Sequence, residues 1–187
     1  MNKHDFKMGF ILLLTLCIMP ARAADINAGK SKAAVCAGCH GSAGVSNNPM
    51  WPTLAGQSSA YLEKQLKNFK AGLRENSTMS AIAKDLSDAD MQNLAAYFAS
   101  LPGKSAGGDA AFAAKGKEKA AMCMGCHGQE LKGNGQFPKL AGQHPDYLAK
   151  QLHDFKSGER KSGQMNAISK TLSDDDIKAL AEYLGAL

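Results

Sequence analysis

The chain has 187 residues, with 22 Lys and Arg against 17 Asp and Glu, five cysteines, and 44% hydrophobic residues, few of them aromatic. That length exceeds one small domain. The charge is spread without a basic run of the kind that tracks phosphates, which argues against nucleic acid as a partner.

Residues 1–23 read as an export signal. Lys3 and Lys7 give a positive start, Met8 to Met19 is an apolar run, and Ala21-Arg22-Ala23 is a small-x-small cleavage site. A retained anchor is disfavoured, because the run has only 12 residues, short of a comfortable bilayer span. A lipid anchor on Cys17 is disfavoured by the bulky Leu16 before it. Removing the segment takes away Lys3, Lys7, Arg22 and Asp5, leaving 19 basic and 16 acidic residues, a charge of +3. Cys17 leaves with it, so the mature chain from Ala24 holds four cysteines.

From Asn27 to Cys36 the sequence is Ala-rich with Lys and predicts a helix ending at the next motif. That motif is Cys36-Ala37-Gly38-Cys39-His40, and it returns 87 residues later as Cys123-Met124-Gly125-Cys126-His127. In a Cys-x-x-Cys-His run the two thiols add across the vinyl groups of a haem, and the adjacent histidine reaches the iron. The expected cofactors are two covalently bound haem c groups, held by Cys36, Cys39, Cys123 and Cys126 with His40 and His127 on iron. Attachment of this kind takes place outside the bacterial cytoplasm, in keeping with the export signal. Four haem propionates would bring the net charge to about −1, so the working molecule is close to neutral.

The repeat extends beyond the cysteines. At an offset of 86, Pro52-Thr53-Leu54-Ala55-Gly56-Gln57 maps onto Pro138-Lys139-Leu140-Ala141-Gly142-Gln143, and Tyr61-Leu62, Gln65-Leu66 and Phe69-Lys70 map onto Tyr147-Leu148, Gln151-Leu152 and Phe155-Lys156. Tyr61 to Lys70 puts Leu62, Leu66 and Phe69 on one helical face. Ser87-Asp88-Ala89-Asp90 reads as a capped helix start, followed by a buried stripe of Met91, Leu94, Phe98 and Leu101. The copy from Ser173 repeats it with Ile177, Leu180, Leu184 and Leu187. Nothing alternates with period two, so the expected fold is all-α: two tandem helical domains, 24–101 and 110–187, each wrapped around one covalently attached haem. The Pro, Gly and Ser content of 102–109 marks a linker, expected to be the least protected backbone.

The second axial ligand should occur in both copies. His40 is the only histidine of the first copy, and of its methionines only Met79 has a methionine counterpart, Met165. Both lie in polar stretches, Asn76-Ser77-Thr78-Met79 and Ser162-Gly163-Gln164-Met165, so they read as loop residues placed to bring a soft thioether to haem iron. Pro52 and Pro138 offer carbonyls that could orient the two histidines, or are simple loop turns. Arg74 and Arg160 read either as propionate partners or as solvated charges. His144 and His153 have no counterpart histidine and read as surface residues, while Trp51 and its counterpart Phe137 read as packing near the haems or as ordinary core.

These features resemble the dihaem cytochrome c4 family, tandem class I cytochrome c domains, over Ala24 to Leu187. The resemblance rests on the two Cys-x-x-Cys-His sites, the Pro-x-Leu-Ala-Gly-Gln loops, the Tyr-Leu, Gln-Leu and Phe-Lys helices, and the matched Met79 and Met165. It implies two cytochrome c-like domains whose haems face one another across the interface. It also implies electron transfer in the periplasm, from a quinol-oxidising respiratory complex or similar donor towards a terminal oxidase. No small-molecule substrate is expected, and peripheral association with the membrane stays open. Two other classes compete. A dihaem peroxidase needs one iron able to open, against which the matched methionines argue. Zinc held by paired cysteines is disfavoured by the export signal and the adjoining histidines.

Overall fold

The computed structural model describes residues 23–187. All but the last residue of the predicted export signal therefore lies outside the described residues. The first half starts at Asp25, whose carboxylate accepts the N–H groups of Asn27 and Ala28 and opens α1 (Ile26–Lys32). A tight turn at Ala33–Val35 leads into α2 (Ala37–His40), which carries the first Cys-x-x-Cys-His run and stops at Gly41, φ 80°. Next come α3 (Ser59–Lys70), capped by Ser58, α4 (Ser77–Lys84), capped by Asn76, and α5 (Asp88–Ser100). The second half runs α6 (Ala110–Ala120), α7 (Met124–His127), α8 (Pro145–Ser157), α9 (Gly163–Lys170) and α10 (Asp174–Ala186). The predicted capping serines are present as reciprocal boxes, Ser87 with Asp90 and Ser173 with Asp176. Among the described residues no strand forms; one isolated antiparallel bridge joins Asn134 and Phe137.

In each half the first helix packs on the last, α1 on α5 and α6 on α10, while α3 and α8 pack on the same last helices. Glycine permits the first crossing. A Cβ on Gly29 would lie 2.1 Å from the Asn93 carbonyl oxygen, and one on Gly116 would lie 2.1 Å from that of Ala179. Cores of Leu62, Leu86, Met91, Leu94 and Phe98 and of Leu148, Leu172, Ile177, Leu180 and Leu184 sit beneath. The stripes read from sequence thus face inward, apart from Leu187, which lies beyond α10 and is exposed.

The segment 102–109 is exposed and non-helical, but it is not loose. The Ala106 N–H donates to the Gly142 carbonyl at 3.1 Å. Ser105 Oγ donates to the Gly185 carbonyl at 2.8 Å, and the Asp109 N–H to Glu182 Oε2 at 2.8 Å. The segment expected as the least protected backbone lies along the second half. Composition marks absent apolar side chains; it does not register these backbone bonds.

Candidate haem sites

The two motif histidines end the short helices α2 and α7 and are buried, 8% and 6% exposed. His40 Nδ1 lies 2.8 Å from the Pro52 carbonyl oxygen and His127 Nδ1 lies 2.9 Å from that of Pro138. Of the two readings of these prolines, the orienting carbonyl is the one realised. A carbonyl only accepts, so Nδ1 carries the proton and the Nε2 lone pair is left free for a metal. Burial pushes both imidazoles below their usual pKa, only partly opposed by the proline carbonyls, which keeps that lone pair available.

Cys36, Cys39, Cys123 and Cys126 are half-buried thiols with no disulfide between them. Burial pushes the Cys36 and Cys123 thiols up, and the neighbouring Cys39 and Cys126 add to the effect. Among the described residues no three His, Cys, Asp or Glu side chains converge on a point.

Met79 and Met165 were expected in loops; each is instead the third residue of a short helix, α4 or α9. The polar residues that read as loop are the caps of these helices. Asn76 Oδ1 accepts the Met79 N–H at 2.9 Å, so its polarity marks a helix start. Both methionines are half-buried.

The four cysteines, both histidines and both methionines line one cavity of about 980 Å³. Its apolar walls include Leu62, Phe69 and Phe98 of the first half and Leu148, Phe155 and Leu184 of the second. Paired thiols, an oriented imidazole, a thioether and apolar walls are the donor set and surroundings a covalent haem takes, so these residues fit the group in both halves. Bound haem supplies an iron that cycles between ferric and ferrous states. Trp51 and Phe137 also line the cavity, but at 43% and 36% exposure they are rim residues and not core.

The cavity continues from one half to the other because the halves interlock with approximate two-fold symmetry. The Arg74 guanidinium donates to its own Gln65 at 3.0 Å, and across the boundary to the Tyr147 hydroxyl at 2.9 Å and Gln151 Oε1 at 2.8 Å. Arg160 mirrors it, donating to its own Gln151 at 2.7 Å and across to the Tyr61 hydroxyl at 3.0 Å and Gln65 at 3.1 Å. Each guanidinium also lies over its own phenylalanine, Phe69 or Phe155. Burial raises the Tyr61 phenol pKa, but Arg160 and Arg74 outweigh it, leaving the phenol below its ordinary value. A second pair of clasps is formed by the glutamines of the Pro-x-Leu-Ala-Gly-Gln loops. The Gln57 side chain bonds the backbone N–H and carbonyl of Lys139, and Gln143 those of Thr53, at 2.7 to 2.9 Å. His144, expected as a surface residue, bonds the Ser46 carbonyl through Nε2 at 2.9 Å; its counterpart Ser58 bonds the Gly135 carbonyl in mirror fashion. His153 is exposed, as expected. Sequence reasoning missed the interface role of these residues. The available signal was that Gln57, Tyr61, Gln65 and Arg74 are all repeated at the same offset, as Gln143, Tyr147, Gln151 and Arg160.

A tandem helical fold with two such sites defines a dihaem c-type cytochrome. The family model described as Cytochrome c matches residues 26–102 and 113–187. The chain is 40% identical to "Cytochrome c4" of Pseudomonas aeruginosa over all of both chains. It is 36% identical to the "Thiosulfate dehydrogenase electron acceptor" of Stutzerimonas stutzeri, covering 90% of this chain and 88% of that one. A crystal structure of reduced recombinant cytochrome c4 from Pseudomonas stutzeri superposes with a TM-score of 0.83 at 40% identity, covering 88% of this chain and all of that one. The chain belongs to the cytochrome c4 family: it is a dihaem electron carrier with two covalently bound haem c groups.

Proposed function

We propose that Cys36 and Cys39 hold one haem and Cys123 and Cys126 the other, with His40 and Met79, and His127 and Met165, as the axial pairs. The observation that carries this is the shared cavity, which places a buried, carbonyl-oriented histidine and a half-buried methionine among its lining in each half. In this reading both axial positions are filled, so the protein carries electrons and does no substrate chemistry. The division falls at 102–109, between domains 24–101 and 110–187. The protein works in the periplasm after removal of residues 1–23, taking electrons from a quinol-oxidising complex or similar donor towards a terminal oxidase. The likeness to relatives named thiosulfate dehydrogenase electron acceptor supports a sulfur-compound-oxidising enzyme as one such donor.

A reductive titration of the purified holoprotein, followed by visible and near-infrared absorption, tests the assignment. The expected result is two low-spin haems and, in the oxidised protein, a weak sulfur-to-iron band that halves in either Met79→His or Met165→His. A high-spin iron, or peroxide turnover by the wild-type protein, would overturn the carrier reading. A band untouched in Met79→His would remove Met79 as a ligand.

A further inference from the structure

The turns that present Met79 and Met165 are built differently. In the second half, Asn166 directly follows the methionine. Its Oδ1 accepts the Ser162 N–H at 2.7 Å, while its Nδ2 donates to the Phe155 carbonyl at 2.6 Å and the Arg160 carbonyl at 2.8 Å. One donor and two acceptors surround the amide, so its orientation is fixed by its partners. The side chain ties the first turn of α9 to the end of α8 and to the backbone of the arginine that clasps the other domain. The residue at this position in the first half is Ser80, whose hydroxyl makes no hydrogen bond among the described residues. There one side-chain bond caps the turn, the exposed Asn76 Oδ1 accepting the Met79 N–H, beside the Ser80 N–H to Asn76 carbonyl bond that the second half shares as Asn166 to Ser162. Ser162, the counterpart of Asn76, makes no side-chain cap.

We infer that Asn166 is a positioning residue that locks the Met165 turn against α8 and Arg160, so that the Met165 thioether is harder to displace from iron than that of Met79. The inference rests on the axial assignment proposed above. Displacing a thioether requires its turn to move away from the cavity. In the first half that movement breaks one exposed side-chain bond. In the second it breaks the two part-buried bonds by which Asn166 Nδ2 holds the Phe155 and Arg160 carbonyls outside the turn, each contributing modestly to stability. The halves therefore respond unequally to an external ligand, the first domain yielding first. Because Asn166 holds the Arg160 backbone, the second domain's ligand turn is also the one tied to the domain clasp.

Imidazole titration of the oxidised holoprotein provides the test, read by the sulfur-to-iron band. Met79→His leaves only the Met165 band and Met165→His only the Met79 band. The Met165 band should need about tenfold more imidazole for half-loss, an amount equivalent to about 1.4 kcal/mol. In Asn166→Ser the second domain should approach the first, and the two steps of the protein with both methionines should merge. Equal imidazole midpoints in the two methionine variants would overturn the inference, whether or not Asn166→Ser folds. So would an Asn166→Ser protein that loses thermal stability while its two steps stay apart, since a merely structural role predicts that pattern. Failure of the axial assignment itself looks different: the untreated wild-type protein would lack the band.

Discussion

The two halves diverge most at the loop between the motif histidine and the proline that orients it. In the first half, Gly44 sits at φ 69° and its carbonyl accepts the N–H groups of Leu54 and Ala55. In the second half, Leu131 occupies the same place at φ 58°, its carbonyl accepting those of Leu140 and Ala141. A side chain at 44 is forbidden, because its Cβ would lie 2.8 Å from the Phe98 ring. The counterpart of Phe98 is the smaller Leu184, and Leu131 is buried in the same core cluster. Large and small have changed places between the halves at nearly constant volume. The second half accepts two non-glycine residues at positive φ, Glu130 and Leu131, to do so. Backbone geometry was retained while the filler came from the other side, so the loop's shape, which aims the proline carbonyl at the histidine, is the constrained quantity.

The largest expected effect separates the two haem sites. Met79→His should lower the potential of the first haem alone and Met165→His that of the second. The shift should be a sizeable part of the roughly 0.8 V that axial ligands span, read by spectroelectrochemistry. A shift of both potentials in either variant would mean that the sites are not separately tuned.

Next comes the exchanged pair. Gly44→Leu should destabilise the first half by about 3 kcal/mol through overpacking and left-handed strain. Adding Phe98→Leu should recover most of the overpacking part, measured by thermal unfolding of the holoprotein. If the double variant is no better than the single, the volume exchange is not what separates the halves.

The clasp should respond symmetrically. Arg74→Gln and Arg160→Gln each strip the partners of a part-buried charged donor, costing about 1.5–3 kcal/mol, and scattering in solution should show a wider spread of domain distances. An unequal loss would indicate that one arginine carries the interface.

The smallest effect is in acid. The Ser173 cap, with Lys119 behind it, holds the Asp176 carboxyl at about 2 against an ordinary 3.8. Its stabilisation is complete above pH 3.8 and lost as pH falls through about 2. The Asp90 carboxyl is also held low, by its Ser87 cap and Lys32. The stability gap between wild type and Asp176→Asn should therefore close on acidification, followed by circular dichroism; a gap constant with pH would remove the carboxylate as its source.

Local chemistry was legible in the sequence. The Cys-x-x-Cys-His runs, the helix caps at Ser87 and Ser173, the inward stripes and the pairing of Met79 with Met165 each follow from residues within a few positions of one another, or from matching one copy to the other. The methionine turns read as loops in the sequence because the polar residues that cap a helix resemble those that fill a loop. The fate of Arg74, Arg160, Gln57, Gln143 and His144 was not legible. Their partners lie 73 to 99 residues away in the other copy, and neither helical periodicity nor the alignment of one copy on the other encodes how two copies dock. The sequence alone thus determined the cofactor and the all-α class, because covalent haem chemistry and helix formation are short-range. Only the tertiary structure decided that the repeated polar residues clasp the domains, that the linker is pinned, and that Asn166 braces one methionine turn and not the other. Those depend on which backbone carbonyls and hydroxyls the packed helices bring within hydrogen-bond reach.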